Sequence, residues 1–367
     1  MSLTPLAADV ALSRLADFDA IIDARSESEF AQDHLPGAVN WPTLNDDERT
    51  FIGTTYMQVN AFEAKKRGAA LAARNIARHI ERDVIDQPKG WAPLLYCWRG
   101  GKRSGSLALI LDQIGFKVTL IEGGYKAFRA AMVQDIPRLV TAIDWRVICG
   151  TTGSGKTRLL QALAAQGAQV LDLEALANHR SSVLGAIPGV AQPTQKRFDT
   201  LVWDQLHGFD ATQPVFVESE SKKVGNVAVP ESLIDSMRNS ACLNLVLPDA
   251  NRVQLLMEEY DFFVQNAEHF CERLDALTSS RGAAVVADWQ ALVRAGNMAL
   301  VVQELLTQHY DPVYLQSMRR NFRYFDESRS IEPQDHTPGA MAALAAEVIK
   351  NEAANLADGV AAAAPQG

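Results

Sequence analysis

Blocks of apolar residues recur along the chain, separated by polar turns and by stretches with helical spacing. The first, AIID, closes the segment Asp19 to Asp23 and predicts a buried strand. Leu94–Tyr96 predicts a second strand, ending at Cys97, and Lys117–Ile121 a third. Between the last two, Gly101 to Gly105 turns into an apolar helix, SLALILDQIG, that stops at Gly115. Val133 to Asp144 reads as a connection, and a new series starts at the strand Trp145–Cys149 and the helix Thr157–Ala165. Further strands are expected at Gln169–Leu173, Pro214–Val217 and Leu243–Leu247, with helices between them. From Val253 to Met341 the pattern is helical, and the Ala-rich end from Ala353 is expected to fray. Strands alternating with helices imply α/β architecture with parallel sheets. The expected division is one domain over 1–137, a second with a helical C-terminal region over 138–350, and a flexible tail over 351–367.

Composition agrees with two folded domains: 367 residues, 47% of them hydrophobic and 22% charged. The net charge of −9 argues against a dedicated nucleic-acid binder, although an acidic average can hide a local basic patch. None of the four cysteines forms a C-x-x-C pair, which argues against a zinc site or a thioredoxin-like pair. There is no basic-then-apolar leader and no apolar run of membrane-spanning length. A cytoplasmic protein with no membrane partner and with reduced thiols is expected.

Two loops carry chemistry. Gly150 to Thr157 reads GTTGSGKT, a complete G-x-x-x-x-G-K-T between an expected strand and an expected helix. Gly150, Gly153 and Gly155 let the backbone curl so that its N–H groups, with that of Ser154, face a phosphate; Lys156 neutralises phosphate oxygens and Thr157 is placed to hold Mg²⁺. The motif specifies a polyphosphate or a diphosphate, not its hydrolysis. Glu218, ending PVFVE, and Asp172, ending QVLD, are the nearest acidic strand ends, and either could assist a metal, act as a base or simply meet solvent.

The second loop, CWRGGKRS from Cys97 to Ser104, sets two glycines and the cations Arg99, Lys102 and Arg103 between a strand and a helix. Such a loop stabilises a thiolate. Its C-x5-R spacing leaves two chemistries open: chalcogen transfer through a persulfide or its selenium analogue, and phosphoester hydrolysis through a phosphocysteine. Cys149, Cys242 and Cys271 lack such surroundings and read as structural.

IIDARSESEF at Ile21, HLPGAVNWP at His34, the Cys97 loop and LIEGGYKAF at Leu120 resemble a rhodanese domain. NDDERTFIGTTY, YCWRGGKRSGS, GTTGSGKT, LDLEALANHRSSVLG, VESESKKVG and YDPVY, in that order, resemble the tRNA 2-selenouridine synthase family. Ala175 and Val183-Leu184 depart from its pattern, which bears on the backbone around Glu174. The resemblance implies a rhodanese-like parallel-sheet domain followed by a P-loop NTPase-like α/β domain. It also implies work on the wobble uridine of a tRNA anticodon arm: 2-thiouridine is alkylated by geranyl diphosphate, and selenium from selenophosphate then displaces the S-geranyl group. On that reading Cys97 handles selenium, Arg99, Lys102 and Arg103 bind the phosphate of selenophosphate, and the P-loop holds the diphosphate of the other co-substrate. Arg180 and Lys222 are candidate phosphate or tRNA contacts, and Glu218 and Glu220 candidate metal or base groups. Mg²⁺ is expected and a bound redox cofactor is not. Candidate tRNA surfaces are the arginines 67, 74, 78 and 82, spaced for one helical face, and RRNFRYF from Arg319. The competing readings are a small-molecule kinase with a rhodanese-like half and a C-x5-R phosphatase fused to a nucleotide-binding domain.

Overall fold

The computed structural model describes residues 3–99, 101–181 and 185–363. Gly100 of the cysteine loop and the Val183-Leu184 pair lie outside the described residues. The chain forms two compact units: Met1–Arg138 together with Pro193–Asp204, and Leu139–Gln192 together with Gln205–Gly367. The segment 193–204 thus belongs to the first unit, although it lies far beyond residue 137.

The first unit contains β1 (Thr4–Leu6), β2 (Ala20–Asp23), β3 (Ala38–Asn40), β4 (Pro93–Tyr96) and β5 (Thr119–Ile121) in one parallel sheet, ordered β1-β5-β4-β2-β3. Ile22 and Leu95 pair across the centre of the sheet and are fully buried with Leu107, Ala108 and Leu111 of the helix Lys102–Ile114. Burying such side chains stabilises the fold by about 1.5–3 kcal/mol each. The motif IIDARSESEF has a structural explanation here. Asp23 and Arg25 form a buried, forked ion pair at 2.6–3.0 Å, and Arg25 also donates to the carbonyl of Asp33. Ser26 and Glu29 then close a capping box on the helix Glu27–Gln32. Asn45 and Glu48 do the same for Asp46–Gln58, which explains NDDE.

The second unit contains β6 (Trp145–Cys149), β7 (Gln169–Leu171), β8 (Val215–Glu218), the short antiparallel pair β9 (Lys223–Val224) and β10 (Val227–Ala228), then β11 (Ala241–Leu245) and β12 (Arg329–Ile331). Its main sheet is parallel and ordered β12-β11-β6-β8-β7. Ile148, Phe216 and Leu243 pack with Leu159 and Leu163 of the helix Lys156–Ala165, and Met341, Leu344 and Val348 join the same core. Those last three lie on the helix Pro338–Ala363, which continues through most of the segment expected to be a tail. Its Glu352 is buried and paired with Arg146 of β6. The helical stretch from Val253 is also interrupted: Arg329–Ile331 adds an edge strand to the sheet. A separate apolar cluster of Phe263, Phe270, Leu274, Trp289 and Val301 holds the helices between.

Candidate functional site

In the first unit, β4 delivers Cys97 to the loop before the helix Lys102–Ile114, with its side chain nearly buried. The Gly101 amide donates to Cys97 Sγ at 3.4 Å. Burial alone would raise the thiol. The Gly101 amide, the hydroxyl and amide of Ser104 and the charge of Arg103 outweigh it and hold the thiol below its ordinary value. The motif LIEGGYKAF supports this loop from behind: the amides of Tyr125 and Lys126 donate to the carbonyls of Cys97 (2.8 Å) and Trp98 (3.1 Å). Gly123 is needed for that approach, because its φ is +70° and a Cβ there would sit 2.5 Å from Ala127 Cβ.

The three expected cations of this loop are not equivalent. Arg99 and Lys102 are exposed. Arg103 is forked onto Glu29 at 2.6 and 3.2 Å, so its orientation is fixed by an ion pair rather than left to an incoming anion. Trp98, 37% exposed, stacks on Tyr125 with ring centroids 5.5 Å apart. Lys196, from the 193–204 segment, lies 5.9 Å from the Trp98 ring. The sequence gave no reason to bring Lys196 here, because the loop and this lysine are about a hundred positions apart. The same segment is tied in by Thr200 and Asp199, which meet Asp33 and Arg129 respectively.

In the second unit, β6 runs into the phosphate loop and the loop into the helix Lys156–Ala165. Gly150 permits the turn: its φ is +153° and a Cβ would meet the carbonyl oxygen of Leu245 at 2.7 Å. Lys156 Nζ donates to the Gly150 carbonyl at 2.9 Å, and the Gly150 amide donates to the Tyr314 hydroxyl at 2.7 Å. Arg252 is buried, donates twice to the Thr152 carbonyl (2.8 and 3.0 Å) and is itself held by Asp249 and Asp311. The loop is therefore preorganised from both sides. Sequence reasoning passed over Arg252 and treated YDPVY only as a family signature, whereas its Asp311 and Tyr314 brace the loop.

Gly153, Gly155, Lys156 and Thr157 line a cavity of about 700 Å³ together with Arg180, Glu174, Glu218 and Glu220. Gly150 and Ser154 lie behind this wall; Ser154 is fully buried. Arg180 is placed by a hydrogen bond to the Glu259 carbonyl and by the face of Tyr260, 4.6 Å away. Lys222 does not line the cavity. It sits exposed in the turn before β9, where its carbonyl accepts from Val229. Asp172 is a helix cap that accepts from the Ala175 amide at 2.8 Å, so it is bound in the backbone. Ala175 fits an ordinary helical turn at that position.

Carboxylate oxygens of Glu174, Glu218 and Glu220 lie within 4.8 Å of one another. Burial, then repulsion from Glu218 and Glu220, pushes Glu174 up to about 9. Burial and Glu218 push Glu220 up to about 8, and burial raises Glu218 despite Lys156 nearby. Glu218 Oε1 is buried without a hydrogen-bond partner, and Thr157 Oγ1 lies 3.5 Å from Glu174. Oxygen donors crowded in this way fit a hard divalent cation such as Mg²⁺, which would remove the repulsion. Glu174 was missed as a ligand because it precedes no strand end and lies 44 positions from Glu218.

The expected RNA surfaces fare differently. Arg67, Arg74 and Arg78 are exposed on the helix Ala61–His79, while Arg82 lies in the wider turn beyond it and pairs with Asp83. Ala69 and Ala73, expected on a buried side, are also exposed. In RRNFRYF, Phe322 and Phe325 are buried in the fold and offer no open face for base stacking.

A parallel-sheet unit that presents one activated thiol before a helix, followed by a unit with a strand, phosphate loop and helix, defines a rhodanese-like and P-loop protein. Comparison with known proteins agrees in both halves. Residues 7–131 match the rhodanese-like domain family, and residues 143–288 match the family described as tRNA 2-selenouridine synthase AAA domain. The tRNA 2-selenouridine synthase of Nitrosomonas europaea is 38% identical over 247 residues, covering 65% of this chain and 63% of that protein. That of Alcanivorax borkumensis is 34% identical, covering 68% of each chain. That of Bdellovibrio bacteriovorus is 30% identical, covering 82% of this chain and 89% of that protein. The chain belongs to the tRNA 2-selenouridine synthase family. No helix among the described residues is long and apolar enough to cross a membrane.

Proposed function

We propose that the protein converts 2-thiouridine to 2-selenouridine at the wobble position of tRNA, by S-alkylation followed by selenium exchange. The observation that carries this reading is the pairing of two unlike sites in one chain: a braced diphosphate loop facing three carboxylates, and a lowered thiol in a cationic loop.

In the first step the thiocarbonyl sulfur attacks the first carbon of geranyl diphosphate. The carbon–oxygen bond breaks and diphosphate leaves. Lys156 and the loop amides bind the leaving oxygens, and charge stabilisation of this kind contributes most where the groups are already oriented. Arg180 completes the positive side of the cavity. Mg²⁺ would be held by Thr157 and by Glu174, Glu218 and Glu220, and would supply further charge neutralisation of the leaving group. In the second step selenium from selenophosphate replaces the S-geranyl group, which departs as a thiol, and phosphate is released. Cys97 handles the selenium, and Arg99 and Lys102 meet the phosphate. Arg103, turned to Glu29, acts through the loop by lowering the thiol.

The test is to incubate the full chain with 2-thiouridine-containing tRNA, geranyl diphosphate, selenophosphate and Mg²⁺, then digest the tRNA and weigh its nucleosides. The reading expects S-geranyl-thiouridine followed by selenouridine. Unchanged thiouridine with authentic substrate tRNA would contradict it and favour a small-molecule kinase or a phosphatase.

A further inference from the structure

Beside the cavity of about 700 Å³ over the phosphate loop lies a smaller recess of about 60 Å³ with an almost wholly carbon lining. Phe263, Val302, Leu305 and Leu306 form much of its wall. The two spaces are continuous in their lining, because Thr152, Leu256, Tyr260 and Tyr310 belong to both. Leu256 marks the junction: a Cβ built on Gly153 would lie 3.0 Å from its Cγ and Cδ1. The apolar recess therefore begins within van der Waals reach of the loop that would hold phosphate.

Its construction is specific. The wide helical turn Leu305–Tyr310 places Leu305 and Leu306 in the recess and Tyr310 on the wall shared with the cavity. Such turns disturb regular helix hydrogen bonding and occur frequently at functional sites. A nucleotide on the loop would project a ribose and base, which need polar partners. A carbon-lined recess instead favours hydrocarbon removed from water.

We propose that this recess receives the end of a hydrocarbon chain whose diphosphate sits on the phosphate loop, so that it selects an isoprenoid diphosphate over free diphosphate. The inference rests on the alkyl-donor reading given above and deepens it. The recess is small, so only the tip of the chain enters it, while the preceding carbons cross the shared wall of Leu256, Tyr260 and Tyr310.

The experiment is calorimetric titration of the full chain, with Mg²⁺, against geranyl diphosphate and inorganic pyrophosphate. The wild-type protein should bind geranyl diphosphate about tenfold or more tightly than pyrophosphate. Val302→Phe, which fills the recess from a half-buried position, should remove that advantage and leave pyrophosphate affinity unchanged. Val264→Asp, at a recess position 46% exposed and so safe for folding, should do the same by placing charge at the mouth. If either variant keeps pyrophosphate binding and the full geranyl preference, the recess is not the chain site and the donor reading stands. If the wild-type protein binds both ligands equally, the donor reading fails, and the recess proposal fails with it.

Discussion

Cys97 is the residue at which sequence and structure agree most closely on chemistry and differ most on means. Three nearby cations suggested a thiolate held by charge. The structure adds the Gly101 amide and Ser104, and it turns Arg103 toward Glu29. A thiol alkylates as its thiolate, so the rate rises as pH climbs through the thiol pKa and levels off above it. Because Cys97 is held below its ordinary value, its alkylation by iodoacetamide should level off at lower pH than that of a free cysteine. Ser104→Ala removes a stabilising group, so the midpoint should move upward; an unchanged midpoint would show that Ser104 does not act on the sulfur. The carboxylates illustrate the opposite case. Glu218 and Glu220 stood out as acidic groups in VESES, but Glu174 joins them only in three dimensions, and Asp172, which looked equivalent to Glu218, is used as a cap.

At the scale of elements, the long apolar runs were legible because each buried strand is continuous and bounded by turns. Strands β2, β4, β5, β6, β7, β8 and β11 all fall within a residue or two of such runs. The missed strands β1, β3, β9, β10 and β12 have two or three residues each, too few to show a period, and they pair only because a neighbouring strand offers an edge. Alanine content misled at the other end. Ala is the best helix former, and the helix Pro338–Ala363 is anchored at Arg146 through Glu352. Glu352→Ala leaves a buried guanidinium with only Asp144 as a partner, and should cost about 3–5 kcal/mol in a denaturant titration. A change under ~1 kcal/mol would mean that the pair is solvated and the anchor unimportant. The phosphate loop makes a sharper demand. Gly150→Ala puts a Cβ against the Leu245 carbonyl at a φ of +153°, and should lower stability by about 1–3 kcal/mol while weakening pyrophosphate binding. Full retention of both would show that the loop can relax.

For the whole molecule, the division into a thiol unit and a phosphate-loop unit was evident from two motifs with the right flanks. The return of residues 193–204 to the first unit was not, since nothing local in QKRFDTLVW marks it. That segment brings Lys196 to the cysteine loop, and it adds positive charge at one place in a chain whose net charge is −9. An acidic protein can still receive RNA where such charge is concentrated. The RRNFRYF aromatics, by contrast, serve the core, because buried phenylalanines contribute more to folding than an exposed platform would.

The central claim is that the two sites divide the chemistry, alkylation on the phosphate loop and selenium transfer at Cys97. The most direct measurement is nucleoside mass analysis of 2-thiouridine tRNA treated with Cys97→Ala and, separately, with Lys156→Ala, both verified as folded. Cys97→Ala should accumulate S-geranyl-thiouridine and form no selenouridine. Lys156→Ala should slow geranylation by about 10²–10³-fold, the usual loss when one preorganised charge-stabilising group is removed. Loss of geranylation in folded Cys97→Ala, or unchanged geranylation kinetics in Lys156→Ala, would contradict the division.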